Sequence, residues 1–442
     1  RWPQLGRRPE VTVSAVTVPL RAGIWVLDLL IFSFILQVGL LLPMAEIFHR
    51  ITLAGIGLNV LAIPVMTVLL AVAVPVVILN TFIPVLAVLP GKLLAFIMKI
   101  LFDLTALPHL PHFLSYRVPA PPVAVAWGFA LSLVAAAFLL SFSRRAFCIL
   151  ISIAAICAVL IAVYPFPPRI PHGIFQLTEL DCGGGDALFT TLPDRTTLLV
   201  GACGGSRQAG AGGDPLRARR WDPGENIVAP YLWWRGISSI DVFVVPDSRG
   251  GHLSGVASVL RNFRVKEFWY GSLGSPAESA ALLDLLEQQG VKIRRLTAGE
   301  TFVRHDSSIT ILWPPAPDSL SRNDLAASPV VMRISSANGS LLLARGLATE
   351  DQRRLANSGA SFQSIVLQSP GHTESSLAPS FAAEVRPLVA LVSSGREKGD
   401  PNLFATLKRL GTAIFDSTRD GAVTISMKGN VPSVQRYRPK GR

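Results

Sequence analysis

Apolar positions run almost unbroken through the first part of this chain and then, near Pro165, break up into short alternating stretches. Ala22–Ile47, Ile51–Asn80, Phe82–Leu107, Val118–Phe142 and Ala146–Tyr164 each approach or exceed the ~20 apolar residues that cross a bilayer as a helix. Lys92 and Lys99 interrupt the third segment, which predicts either one more crossing or an interfacial helix with both lysines snorkelling. Only Ser143-Arg144-Arg145 separates the last two segments. Pro64, Pro75, Pro84 and Pro90 interrupt the second and third. Broken helices at membrane depth line a wet pathway or pack as ordinary kinks. Leu107-Pro108-His109-Leu110-Pro111-His112 reads as a loop, because proline between the two histidines prevents a regular helix.

Past Pro171 the pattern changes to β-like runs punctuated by glycine, and then helices. Ile174–Glu179, Ala187–Thr191 and Thr197–Val200 predict the opening strands of a meander. Ile227–Trp234 predicts a helix ending at Gly236, Asp241–Val245 a buried strand, and Leu253–Phe263 a helix. Phe268–Tyr270 predicts a strand and Ala277–Gln289 an acidic amphipathic helix. Similar alternation continues through Ile309–Trp313, Ser328–Ser335, Ser340–Ala344, Ser364–Gln368, Leu388–Ser393, Asn402–Leu410 and Gly421–Met427. Strands followed by helices, in two similar halves, predict sheets covered by helices. The chain therefore divides into a membrane part, 1–165, and a soluble α/β part, 166–442, long enough for its own core.

Charge adds a direction. Of 41 Lys/Arg and 29 Asp/Glu, ten and four precede Pro165, so each part carries an excess of about six positive charges. A positive balance favours anionic partners, lipid headgroups or nucleic acid. Lys and Arg near span ends stay on the cytoplasmic side. Placing Arg144-Arg145 inside and counting five crossings puts Arg21, Arg7 and Arg8 inside, Arg50 and Arg117 outside, and everything after Pro165 outside. An interfacial third segment would instead return the soluble part to the cytoplasm. The chain begins at Arg1 and enters a hydrophobic span without a signal-peptide pattern, which reads as the C-terminal part of a longer protein.

Cys148 and Cys157 fall in an apolar helix, as small core residues. Cys182 and Cys203 fall in two glycine-rich loops, where they read as free buried thiols or, outside the cytoplasm, as a disulfide.

Three stretches carry a resemblance. Asp181-Cys-Gly-Gly-Gly-Asp186-Ala187 resembles the Asp-Val-Gly-Gln-Gly-Asp-Ala signature of metallo-β-lactamase-fold domains. Pro223–Asp241 resembles the helix and strand that lead to that fold's metal loop, and Leu53–Val65 is similar to the end of the competence transmembrane domain. Together they resemble the ComEC family of DNA-internalisation proteins. The resemblance implies a multi-helix transmembrane bundle followed by a four-layer αββα, metallo-β-lactamase-like domain at the mouth of a channel in the bacterial inner membrane. The soluble domain then sits on the outer, periplasmic face. The implied partners are single-stranded DNA, membrane lipid, other proteins of the competence machinery and a second copy of the chain.

The departures from that family are as informative. Its metal loop His-x-(His/Asp)-x-Asp-His stands here as Asp247, Arg249, Gly251 and His252, with only the last kept. Its Asp before a glycine turn becomes Gly201. Its Thr-Gly-Asp becomes Ala344-Arg345-Gly346, its His-His-Gly-Ser becomes Gly371-His372-Thr373-Glu374, and its Gly-His-Pro becomes Gly399-Asp400-Pro401. Hydroxide generation by two metal ions ~3.5–4 Å apart needs several converging carboxylates and imidazoles. Glycine offers no ligand, and Arg249 brings a permanent positive charge. The remnant loop is Asp181, Asp186, Asp247, Arg249, His252, His372 and Asp400. It predicts no cofactor, with one divalent ion on His252, His372, Asp247 and Asp400 as the alternative. His305 reads as a surface residue.

Arg217, Arg219, Arg220 and Trp221, with Trp233-Trp234-Arg235, combine cations and aromatic faces as single-stranded nucleic acid requires. The bland alternatives are a mobile loop for the first group and helix packing for the tryptophans. The leading expectation is part of a DNA-uptake channel with a non-catalytic, strand-binding domain. The alternatives are an active metal-dependent nuclease and a membrane scaffold or transporter unrelated to DNA.

Overall fold

The computed structural model describes residues 9–105, 114–183, 185–204, 222–246, 255–271, 273, 276–315, 328–370, 376–393 and 400–437. The chain separates into two units, Arg1–Phe166 and Pro167–Arg442.

The first unit is helical. Its order is α1 (Pro9–Ile47), β1 (Arg50–Thr52), α2 (Ala54–Phe82), α3 (Pro84–Thr105), β2 (Ser115–Arg117), α4 (Val123–Leu139) and α5 (Arg144–Val163). Four stretches among the described residues are long and apolar enough to cross a membrane: Leu20–Ile47, Ala54–Phe82, Pro84–Asp103 and Arg144–Val163. α4, at 17 residues, is shorter. Large side chains such as Phe138, Phe34 and Val85 face outward, while small ones, Ala45, Ala126, Ala136 and Ala154, fill the interior around Phe129 and Ile161. This inversion is what helices surrounded by hydrocarbon require, since close approach, not apolarity, drives their packing. α5 starts at Ser143, whose hydroxyl accepts the Ala146 N–H.

Of the two readings of the prolines, continuous helices are the one observed. α2 runs through Pro64 and Pro75, and α3 runs through Pro90; only the Ile83-Pro84 step separates them, with Pro84 at the first position of α3. A Pro at that position gives up an N–H that is unpaired anyway. The hydroxyls of Thr67 and Thr81 turn back onto the carbonyls of Ile63 and Val77, which hides them from hydrocarbon.

β1 and β2 pair antiparallel, Arg50 opposite Arg117 and Thr52 opposite Ser115. Because β1 precedes α2 and β2 follows α3, the two helices form an out-and-back hairpin. Tyr116 of β2 donates its hydroxyl to Ala162 O, near the end of α5. The paired strands and the exit of α5 therefore share one end of the unit. The Arg144-Arg145 turn, one α5 length away, lies at the other.

The second unit is a four-layer sandwich. Its strands are β3 (Phe175–Glu179), β4 (Leu188–Thr191), β5 (Thr197–Val200), β6 (Ser239–Val245), β7 (Arg264–Tyr270), β8 (Lys292–Arg295), β9 (Thr301–Arg304), β10 (Ser307–Trp313), β11 (Val331–Ser336), β12 (Gly339–Leu343), β13 (Val366–Gln368), β14 (Val389–Val392), β15 (Ala413–Asp416), β16 (Ala422–Lys428) and β17 (Val431–Tyr437). Among the described residues one sheet has eight strands, in the order β17-β16-β3-β4-β5-β6-β7-β8, and the other seven, in the order β15-β14-β13-β12-β11-β10-β9. Each is antiparallel on one side and parallel on the other, β5 to β8 in the first and β12 to β15 in the second.

Alternation along β6 shows the layering. Val242 and Val244 enter the core between the sheets, against Ile309, Met332 and Leu391, while Phe243 and Val245 face a helical layer. That layer comprises α6 (Ala229–Trp234), α7 (Val256–Asn262) and α8 (Pro276–Gln288), through Leu232, Trp233, Val259 and Leu286. The seven-stranded sheet is covered by α9 (Thr349–Ala356), α10 (Pro379–Val385) and α11 (Pro401–Arg409), through Leu355, Phe381, Val385, Leu403 and Leu407. Helix on sheet, sheet on sheet, sheet on helix is the αββα order. The segment expected as one helix over Ile227–Trp234 opens with a π turn, Gly224–Val228, before α6. β8, β9, β15, β17, α9 and α10 had no counterpart in the sequence reading.

Candidate functional site

In open α/β sheets the crevice lies beyond the carboxyl ends of the parallel strands. Both sheets of the sandwich present such ends together. β5 leads into Gly201–Cys203, β12 into Arg345, β13 into Ser369 and β14 into Ser393. The β3–β4 connection, with Asp181 and Asp186, joins them, because β4 runs antiparallel to β5.

The backbone here is tightly interlocked. Cys203 N–H donates to Asp186 O at 2.9 Å, and Leu180 N–H to Ala187 O at 2.9 Å. Gly201 has φ +74°, and a Cβ on it would strike Asp186 O. A Cβ on Gly255, ahead of α7, would strike Ala202 O. These two glycines are demanded by the meeting of loops, whatever chemistry the site performs. Cys182 and Cys203 form a disulfide, which ties the β3–β4 loop to the loop after β5. The free-thiol alternative for this pair is thereby overturned; the two loops carry them to a Cα–Cα separation of 5.3 Å, within bridging range.

A buried ionic cluster occupies the centre. Arg345 Nε lies 2.7 Å from Asp186 Oδ2, with side chains only 7% and 9% exposed. Arg345 Nη2 donates to Ser393 O at 3.3 Å. Nε makes no aligned hydrogen bond, so charge rather than direction holds the pair. The pair joins the two sheets, since Asp186 precedes β4 and Arg345 follows β12. Glu179, at the end of β3, is fully buried, and its oxygens have no hydrogen-bond partner among the described residues. Burial, reinforced by the Asp186 charge against the opposing pull of Arg345, pushes its pKa up to about 8.

The remaining candidates divide. Asp181 accepts Gly183 N–H at 3.1 Å and shapes its own turn. Asp400 caps α11 by accepting Asn402 N–H at 2.9 Å. Asp247, Arg249, His252 and His372 lie outside the described residues, as do Arg217, Arg219, Arg220, Trp221, His109 and His112. His305 is at the surface, 3.0 Å from Asp194. Trp233 is packed in the core, while Trp234 is 52% exposed. Arg235 is buried, donating to Arg169 O, the Tyr231 hydroxyl and Gln176 Oε1, so it serves packing.

The metal that this fold class implies does not fit what is described. No group of three or more His, Cys, Asp or Glu among the described residues is arranged to hold an ion. Asp186 faces a guanidinium, Asp181 and Asp400 each give one oxygen to a backbone N–H, and the second oxygen of Asp400 is buried without a hydrogen-bond partner among the described residues. Sequence reasoning gave Arg249, which lies outside the described residues, the part of opposing cation, and noted Arg345 only as a replaced motif position. The missed signal was a charge placed directly after the apolar run Ser340–Ala344, at the carboxyl end of a buried strand.

Comparison with known proteins adds to this geometry. Residues 7–166 match the family model described as "Competence protein". Over 292 residues the chain is 22% identical to the ComE operon protein 3 of Bacillus subtilis (strain 168), covering 64% of this chain and 37% of that protein. The chain thus spans little more than a third of the length of that curated relative. Among solved structures it is similar to the metallo-β-lactamase-fold protein YhfI from Bacillus subtilis (12% identity, 60% of this chain and all of that one, TM-score 0.35). It is also similar to CmlA, a diiron β-hydroxylase from Streptomyces venezuelae (13% identity, 65% and 59%, TM-score 0.35), and to Zn²⁺-bound PqqB from Methylobacterium extorquens (12% identity, 53% and 85%, TM-score 0.29).

Proposed function

We infer, for a chain of the ComEC type of competence proteins, a part in DNA uptake: its helices contribute to the membrane passage, and its sandwich domain handles a single strand of DNA without cutting it. One observation carries the non-cutting half of this reading: a buried guanidinium, Arg345, sits on Asp186, the carboxylate that closes the β3–β4 loop. The competence match over residues 7–166 and the relative from Bacillus subtilis support the uptake half. Lipid is the surrounding partner of the apolar helices; single-stranded DNA, other competence proteins and a second copy of the chain are the further ones.

Two independent features support an inner-membrane location with the sandwich on the outer face. The chain leaves α5 at the end of the helical unit that carries the β1–β2 pair, opposite Arg144-Arg145. Arg144 and Arg145 together with Arg21 outnumber Arg50 and Arg117 at the strand end, and the richer basic end stays cytoplasmic, so that exit faces outward. The Cys182–Cys203 disulfide belongs to an oxidising compartment.

The test is a pair of measurements on the whole chain in detergent. Single-stranded DNA binding should weaken steeply with salt, as displaced counterions require, and a phosphodiesterase assay with Mn²⁺ or Zn²⁺ should give no turnover. Turnover abolished by His252→Ala would establish the nuclease instead. Absence of salt-sensitive binding would establish a scaffold or a transporter of something other than DNA.

A further inference from the structure

Among the described residues, the crevice where a hydrolase of this architecture would gather metal ligands holds a buried arginine, Arg345. We propose that Arg345 is the resident cation of the pocket, cross-linking the two sheets as a divalent ion would, and that the pocket takes up no divalent metal. The inference rests on reading the domain as non-hydrolytic and names the device behind that reading.

Arg345 is held from several directions. Its backbone is fixed by Ala344 N–H to Gln368 O and Gly346 N–H to Pro370 O, at 3.3 and 3.2 Å. Its side chain reaches Asp186 in the opposite sheet and Ser393 beyond β14. Asp186 is in turn held in place by Cys203 N–H, and Cys203 by the disulfide to Cys182. The result is a continuous covalent and ionic path from the β3–β4 loop through the loop after β5 and across to β12. A guanidinium cannot give up its proton and has no lone pair for a metal. A dication placed at Asp186 would meet that fixed charge at contact range, in surroundings where water does little to screen it. Expelling Arg345 would break the link between the sheets.

The experiment uses the whole chain purified in detergent. Wild type is incubated with Zn²⁺ or Mn²⁺, desalted, and measured for metal per chain and for melting temperature. No stoichiometric metal and no rise in melting temperature are expected. Arg345→Met and Asp186→Asn should each lower the melting temperature, and the double variant should fall no further than the worse single one. Should Arg345→Met not fold, Arg345→Lys keeps the charge without the planar fork, and the wild-type metal measurement needs no variant. One ion retained per chain with a raised melting temperature overturns the proposal, as does a fully additive loss in the double variant. DNA binding is read on the same samples. Metal uptake with salt-sensitive binding intact defeats the Arg345 proposal alone, whereas loss of binding without metal uptake defeats the strand-handling reading alone.

Discussion

The two units of this chain use the same side chains to opposite ends. In the helical unit Phe138 is 73% exposed while Ala45 and Ala154 are buried; in the sandwich Trp269 is fully buried. In water a large apolar side chain stabilises by leaving the solvent. In a bilayer it is already in its preferred solvent, and the interior is reserved for residues small enough to bring backbones together. Polar atoms follow the same division. The sandwich buries full charges and answers them with partners, as in Arg345 with Asp186. The helical unit turns hydroxyls back onto its own carbonyls, and Arg50, Arg117, Arg144 and Arg145 stand at or beside helix ends.

The largest test of this contrast substitutes one aromatic residue in each unit. Trp269→Ala removes a side chain packed between the sheets, whose Nε1–H donates to Glu267, and should cost about 3–5 kcal/mol. Phe138→Ala, on an outward face, should cost far less when the protein is kept in lipid. Thermal unfolding of both variants in nanodiscs measures the difference, and equal losses would mean that the α4 face is a protein contact.

A second test concerns Glu179. The folded protein holds its proton to about pH 8, while the unfolded chain releases it near 4.5. Between those values the folded state binds more protons, so stability falls as pH rises through the window and is level above it. The full shift corresponds to at most about 4–5 kcal/mol. Glu179→Gln should flatten that slope in pH-dependent unfolding, and an unchanged slope would place the titration elsewhere.

The smallest expected effect is that of the disulfide. Opening the 21-residue Cys182–Cys203 loop should cost about 3 kcal/mol. Melting with and without reductant should show it in the sandwich transition and leave the helical one unmoved. Cys203→Ser should abolish the sensitivity to reductant.

How much of this was readable beforehand follows from the same physics. Long apolar runs and continuous buried strands, such as Asp241–Val245, announce themselves because hydrocarbon and sheet cores admit little else. Lys292–Arg295 did not, since an edge strand of three charges and one isoleucine carries no alternation to detect. α9, α10 and β15 are short and owe their form to the sheet they cover or extend. At the site, the glycines and Asp186 were legible from their motif. That Arg345 is buried against Asp186 was not, because the chain shows only that it replaces a motif position. Burial, a property of the folded whole, marks it out.

The pairing of Arg50–Thr52 with Ser115–Arg117 has a mechanical consequence. It closes α2 and α3 into a ring fastened at one rim, so neither helix can slide lengthwise past the other without first unzipping those three residue pairs. The other end is held by the chain itself, where only Ile83 stands between α2 and α3, so the two helices are tied at both ends and any widening between them is confined to the stretch in between.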